Sequence, residues 1–166
     1  MGHKQDWWEK IRLWLIPKLG TVTQLIEDVT GSYYYVKGKT HNNQFVGRVP
    51  MDEEDFEKKL HEMGFERNPL ASLKTLGSTD EIEEDSWRKV GFDDAPDMQL
   101  HVVLYDGEPM NNASVDVTYV YAHWEVRWDS RPVDHYRGRG FNGPEGVRRM
   151  KRLLDESGVN YEPIRP

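Results

Sequence analysis

Histidine and glutamate residues in the second half of the sequence could ligate a metal ion. His123 and Glu125 are separated by one residue within an apolar run, so on a β-strand both would face the same side of the sheet. His101 lies in an earlier run of the same kind, and a metal site that it completes is geometrically feasible and would support metal-assisted hydrolysis. The alternative is that these residues are hydrogen-bonded structural residues, so the spacing alone predicts no catalytic residue, metal or other cofactor.

Several well-known catalytic signatures are missing from the sequence. The chain contains no cysteine, which excludes disulfides, thiol nucleophiles and thiolate metal sites. The segment His123-Trp124-Glu125 matches the H-x-E part of the zinc deaminase signature. That chemistry also needs a Cys-x-x-Cys pair, which a chain without cysteine lacks, so zinc deaminases are excluded. The motifs H-E-x-x-H and G-x-S-x-G are absent as well, which removes the common zincin and serine hydrolase classes.

The charged residues are distributed unevenly along the chain. Residues 52–66 carry a net charge of −5 and residues 78–97 a net charge of −6, whereas residues 127–152 carry +5. Such a basic segment could bind phosphate or nucleic acid, particularly since aromatic residues alternate with its arginines. The alternative is that the acidic stretches neutralise it in the folded protein.

A glycine-rich stretch, Gly138 to Gly143, lies within this basic segment and has the form G-x-G-x-x-G. A dinucleotide-binding fold would need an apolar strand before it and another after the following helix, and neither is present. The N–H groups at the start of that helix could still attract an anion. The candidate residues for anion or nucleic-acid binding are Arg137, Arg139, Gly140, Gly143, Arg148 and Arg152.

The first 19 residues predict an amphipathic helix that Pro17 ends. Its apolar side is rich in tryptophan, which anchors many protein interfaces. This helix could dock onto a protein partner or a second copy of the chain, or it could pack on its own domain. Binding to an anionic membrane surface is opposed by the negative charges of Asp6 and Glu9. The candidate docking residues are Trp7, Trp8, Ile11 and Trp14.

Length and composition fit one soluble domain, which we assign to residues 20–166. The chain has 166 residues and a formal net charge of −7, and no apolar run approaches the roughly 18 residues that a membrane span requires. Acidic residues near the start oppose a signal peptide, so a cytoplasmic location is expected.

The elements that must position these candidate residues follow from periodicity and capping. We expect an α+β fold: a mostly antiparallel sheet of about five to six strands, with helices at the N-terminus, after the first hairpin and at the C-terminus. One predicted helix ends at Gly31, a second runs between Asp52 and Gly64, and a third starts near Pro144 and ends at Gly158. The predicted strands are 32–36, 44–49, 65–76 (broken at Pro69), 86–92, 98–105 and 114–128.

The two long strands differ in their predicted burial. In residues 98–105 apolar and polar residues alternate, which indicates one buried face. The middle of 114–128 is apolar on both sides, so this strand should lie inside the sheet and be covered on both faces.

Several segments of the chain resemble parts of small uncharacterised haloarchaeal proteins. They are residues 65–74, 86–88, 99–104, 120–123 and 135–138, and the likeness covers about residues 50–155. The resemblance implies a source and a fold but no activity. In molar salt the Debye length falls to about 3 Å, which would weaken phosphate binding and favour a protein partner.

Taken together, these patterns predict a non-enzymatic binding or interaction module whose partner is a protein or a second copy of the chain. Nucleic-acid or phosphate binding through residues 127–152 is the alternative, and a metal-assisted hydrolase using His101, His123 and Glu125 is a further one.

Overall fold

The computed structural model describes residues 40–68, 85–107 and 116–163. Within these ranges a short 3-10 helix, Asn42–Gln44, precedes a set of strands and α-helices. The strands are β1 (Phe45–Val49), β2 (Glu66–Arg67), β3 (Asp85–Lys89), β4 (Met98–Gly107) and β5 (Val117–Val126). The α-helices are α1 (Glu53–Glu62), α2 (Pro132–Tyr136) and α3 (Gly143–Glu156).

The strands form one antiparallel sheet in the order β1-β5-β4-β3-β2. β4 and β5 pair along their whole length, from Met98 opposite Val126 to Gly107 opposite Val117. Both are rich in β-branched and aromatic residues, which favour a pleated, buried strand. The predicted α+β fold with a mostly antiparallel sheet is confirmed.

One face of the sheet, the helix face, carries the main apolar core. Side chains of β4 and β5 pack there against residues of α1 and α3. This separation into sheet and helix layers follows from the helical periodicity of the two helices, whose apolar residues lie on one side. The core residues that define the helix face include Leu100, Val102, Ala122 and Trp124 on the strands, with Phe56, Leu60, Met150 and Leu154 on the helices.

The opposite face, which we call the histidine face, carries Gln99, His101, His123 and Glu125. The prediction that β4 has only one buried face is wrong, because Gln99 is fully buried and His101 is only 3% exposed. Gln99 Nε2 and His101 Nε2 form hydrogen bonds with other side chains, Glu125 and Ser86, instead of with solvent, which favours their burial. For β5, burial on both faces is confirmed.

The helix boundaries follow local sequence signals. α1 begins after Asp52, whose side chain accepts a hydrogen bond from the Asp55 amide, as a helix N-cap does. α3 begins after Asn142, whose side chain caps the Glu145 amide in the same way. Both predicted helices are therefore confirmed. The short helix α2 was not predicted, since five residues are too few for periodicity to appear.

Some strand bounds differ from the prediction. Of the strand predicted at residues 65–76, the described part reaches only residue 68, and there Glu66–Arg67 form a strand. β3 ends at Lys89 instead of residue 92. Both long strands have shifted ends, since β4 extends to Gly107 and β5 ends at Val126. The predicted helices before residue 40 and the strand at 32–36 lie outside the described residues.

The segment after α3 returns to the sheet. The backbone groups of Arg48 and Glu162 exchange two hydrogen bonds of 2.9 Å on the outer side of β1, and their side chains form an ion pair. Among the described residues, no helix is long and apolar enough to cross a membrane.

Candidate metal centre

The pairing of β4 with β5 brings the three candidate ligands together on the histidine face. His101 lies directly opposite His123, and Gln99 lies directly opposite Glu125. Directly opposite residues of an antiparallel pair have their side chains on the same face, with Cβ atoms about 5 Å apart. The structure therefore unites His101, His123 and Glu125, the set that the sequence singled out.

The distances within this set are short. His101 Nδ1 lies 3.0 Å from Glu125 Oε1, and His123 Nε2 lies 3.4 Å from Glu125 Oε2. One ligand atom from each residue can be chosen so that all three lie within 4.8 Å of one another. Ligand atoms around a tetrahedral zinc ion are roughly 3.4 Å apart, so a small side-chain adjustment would bring all three into range.

Two further side chains hold these groups in place. Ser86 Oγ and His101 Nε2 are 2.5 Å apart, and Gln99 Nε2 donates a hydrogen bond of 2.7 Å to Glu125 Oε1. The first contact leaves His101 Nδ1 facing Glu125. Metal-binding histidines and carboxylates usually have such outer partners, which fix ring orientation and tautomer.

All three candidate ligands are buried, with exposed fractions between 0% and 3%. Burial raises the pKa of the Glu125 carboxyl, but the charge of His123 and hydrogen bonds from His101 and His123 outweigh that effect. The pKa of Glu125 is consequently held well below its usual range, so this residue is a carboxylate at neutral pH.

Residues between β5 and α3 line the cluster on another side. His135 of α2 lies with Nδ1 2.8 Å from the Val126 carbonyl oxygen and 3.7 Å from Glu125 Oε2. The Phe141 ring lies against the His123 ring with 5.0 Å between centroids. The side chain of His135 is 26% exposed, so it lies between the buried cluster and the surface.

Sequence reasoning missed the supporting residues Ser86 and Gln99. Gln99 could have been found, because it precedes His101 by two residues and therefore shares its face on a strand. Ser86 is 15 residues from His101 in sequence and gives no local signal. His135 follows β5, and its position in the sequence gives no sign that it lies beside Glu125 in space.

The arginines of the basic segment mostly contact carboxylates. Arg139 pairs with Asp134 at 2.9 Å, and Arg148 pairs with Glu145. Arg137 and Arg152 are exposed.

Around the start of α3, the side chain of Asn142 caps the helix and Gly143 is buried against Asn43 and Gln44. Gly140 is exposed and has a positive φ of 75°. Binding of phosphate or nucleic acid through the six anion-binding candidates stays a prediction.

The docking candidates Trp7, Trp8, Ile11 and Trp14 lie outside the described residues. Docking of a partner or of a second copy through them also stays a prediction.

Comparison with known proteins yields no match: no protein-family model, no curated protein and no solved structure is significantly similar to the chain. The resemblance to haloarchaeal proteins therefore stays a prediction, and the function has to be inferred from the geometry of the site.

Proposed function

We propose that this protein binds one divalent transition-metal ion of the zinc class through His101, His123 and Glu125. A single observation carries the proposal: three buried groups of the ligand types that zinc prefers lie on adjacent strands with their ligand atoms within 4.8 Å. Two imidazole nitrogens and one carboxylate suit zinc, cobalt or iron(II) better than calcium or magnesium, which prefer oxygen ligands.

The number of ligands supports a catalytic centre over a purely structural one. Structural zinc sites are usually closed by four protein ligands, whereas catalytic sites have three and leave a position for water. A metal ion lowers the pKa of such a water and produces a hydroxide nucleophile near neutral pH. Metal-assisted hydrolysis is thus the class of activity that we propose for this centre.

The outer contacts add support. If His101 binds the ion through Nδ1, its Nε2 atom carries the proton and donates a hydrogen bond to Ser86 Oγ, which is already 2.5 Å away. Gln99 holds Oε1 of Glu125, while Oε2 lies on the side of His123. Both contacts could persist with the ion bound, and the ion would replace the hydrogen bond that His101 Nδ1 now makes with Glu125 Oε1.

Metal titration of the purified full-length chain tests this proposal. After treatment with a chelator, the protein should bind one equivalent of Zn²⁺ or Co²⁺, and the visible spectrum of Co²⁺ should indicate nitrogen and oxygen ligands. Glu125→Gln and His123→Gln each remove a ligand, so each should weaken binding by more than the roughly 10-fold to 100-fold that loss of an outer partner costs. His61→Ala alters an exposed histidine of α1 and should leave binding unchanged.

The competing interpretation is a hydrogen-bonded network that stabilises the sheet without a metal. It predicts that no ion binds stoichiometrically to the wild-type protein. It also predicts that Glu125→Gln lowers the free energy of unfolding, and that any weak, non-stoichiometric metal binding is the same in the variant as in the wild type. Circular dichroism of each variant shows whether the fold is retained. Absence of one-to-one binding in folded wild-type protein would overturn the proposal.

A further inference from the structure

A second cluster of apolar side chains lies on the histidine face, next to the metal centre. Val103 follows His101 by two residues on β4, so the two share this face. Tyr121 precedes His123 by two residues on β5 and shares it as well. We call this cluster the aromatic patch, and its members are Phe45, Val103, Tyr105, Tyr121 and the partly buried Tyr119.

The rings of the aromatic patch pack against one another. The centroid of the Tyr121 ring lies 5.1 Å from that of Phe45 and 5.4 Å from that of Tyr105. Aromatic rings prefer such tilted and edge-to-face contacts. A sheet surface that carries so many rings is strongly apolar, and an apolar cover over it is favoured by the hydrophobic effect.

The patch is buried although none of the described helices lies over it. Phe45, Tyr105 and Tyr121 are between 0% and 8% exposed. The helices α1 and α3 pack on the opposite face of the sheet. His135 of α2 lies beside Glu125, which is about 13 Å along β5 from Tyr121. The cover of the patch therefore comes from residues outside the described ranges.

Thr40 indicates which part of the chain reaches the patch. It is the first described residue, it is buried, and its hydroxyl oxygen lies 2.7 Å from the hydroxyl oxygen of Tyr105. Residues 1–39 therefore join the described part of the chain at the patch itself.

The other two undescribed ranges fit this role less well. Residues 69–84 connect β2 with β3, at the edge of the sheet opposite to β1 and Phe45. Residues 108–115 form a short connection between β4 and β5, and their large apolar side chains are those of Met110 and Val115. Neither range supplies aromatic residues.

The composition of residues 1–39 matches the patch. The predicted N-terminal helix has Trp7, Trp8, Ile11 and Trp14 on one side. Aromatic side chains bury large apolar areas and pair favourably with other rings. A helix of about 12 residues is roughly 18 Å long, which is enough to cross the roughly 10 Å from β1 over β5 to β4.

We propose that the tryptophan-bearing N-terminal helix packs on the aromatic patch of its own chain. Its tryptophans then complete the apolar layer of the histidine face and are not available to another protein. This packing does not require a metal ion. It also closes towards solvent the face on which His101 and His123 lie.

Fluorescence of a labelled full-length chain tests this packing. Because the chain has no cysteine, Tyr119→Cys at the margin of the patch provides a single attachment point for bimane, a dye that tryptophan quenches on contact. Trp7→Phe, Trp8→Phe and Trp14→Phe together keep apolar rings but remove the quencher, so the emission should rise several-fold. The same label at Glu156→Cys, on the exposed end of α3, should not respond to these changes.

Mixing shows whether the tryptophans belong to the same chain. The labelled chain that carries the three phenylalanine substitutions is refolded from urea together with an excess of unlabelled wild-type protein. We expect its emission to stay high. A return of quenching would mean that a second copy supplies the helix, and it would overturn the packing within one chain.

Footprinting of the unlabelled wild-type chain adds a measurement that does not depend on any variant. Hydroxyl radicals should oxidise Trp7 and Trp14 as slowly as Trp124, which is buried in the main core. Oxidation of Trp7 and Trp14 at the rate found in the urea-unfolded chain would overturn the proposal. An emission of the Tyr119 label that is the same with and without the three tryptophans would overturn it too, since another segment would then cover the patch.

Discussion

The backbone of Gly146 in α3 lies directly on the backbone of His123 in β5. A Cβ atom added to Gly146 would lie 2.2 Å from His123 Cα and 2.6 Å from its amide nitrogen, distances that no real Cβ contact reaches. The first turn of α3 can approach this closely because the His123 side chain is directed to the other face of the sheet. The packing of α3 on the helix face is therefore coupled at Gly146 to the strand position that carries His123 on the histidine face.

Gly146→Ala is accordingly expected to destabilise the protein strongly and to weaken metal binding together with stability. The added methyl group meets backbone atoms that cannot rotate away, so the helix must shift, at a cost of about 3 kcal/mol or more. Urea unfolding measures the cost. Gly91→Ala is the control, because nothing lies within 4 Å of its added Cβ and only its positive φ of 80° is unfavourable, a cost of about 1 kcal/mol. Similar losses for both variants would contradict the close contact.

Ser86→Ala should weaken Zn²⁺ binding by about 10-fold to 100-fold while the fold persists. The variant removes only the hydroxyl that holds His101 Nε2, so the ring keeps its place on β4 but loses the partner that fixes its tautomer. Competition with a coloured chelator measures the affinity. Ser130→Ala changes an exposed serine in the turn after β5 and should not alter it. An affinity equal to that of the wild type would show that Ser86 has no such role.

Glu145 should make the protein sensitive to acid. Hydrogen bonds from Arg148, together with those from Arg149, lower the pKa of Glu145 from 4.5 to about 2 against the opposing effect of burial. Because this pKa is lower in the folded than in the unfolded protein, the carboxylate stabilises the fold above pH 4.5, and that contribution is lost as the pH falls towards 2.

Glu145→Gln should therefore reduce stability at pH 7 and flatten the loss of stability between about pH 5 and pH 2. Thermal unfolding at a series of pH values tests this. The control is Glu156→Gln at the exposed end of α3. Parallel pH profiles for wild type and Glu145→Gln would refute the expectation.

Arg149→Ala should cost about 2 kcal/mol, more than an ordinary surface arginine. Its guanidinium lies 4.0 Å from the centroid of the Trp124 ring, pairs with Asp94, and has a side chain that is only 14% exposed. Such a stacked and partly desolvated cation loses packing as well as charge when it is truncated. Arg148→Ala removes a half-exposed side chain that pairs with Glu145, and it should cost less than about 1 kcal/mol. Equal effects in urea unfolding would argue against the stacking.

The parts of the fold that sequence could predict are those that local residues decide. Asp52 and Pro144 indicate where helices begin, and the apolar residues on both sides of the middle of β5 indicate its burial. The joint placement of His123 and Glu125 also follows from their spacing on one strand. That His101 joins them depends on the register between β4 and β5, which is set by contacts between residues far apart in sequence.

The burial of Gln99 and His101 could not be predicted for the same reason. Alternation of polar and apolar residues usually means that the polar face is solvated. Here Ser86 on β3 and Glu125 on β5 supply the hydrogen bonds from either side of β4, and neither is close in sequence. A polar residue on a strand carries no sign of whether its partner will be water or a neighbouring strand.

The contact between Arg48 and Glu162 bears on how copies of the chain can associate. An outer strand with unpaired backbone groups is a template on which another molecule can add a strand, the usual beginning of aggregation. Glu162 occupies that position opposite Arg48, so a neighbouring molecule would have to displace it before extending the sheet at β1. Addition of a strand from another molecule at this position of β1 is thus disfavoured in the folded protein.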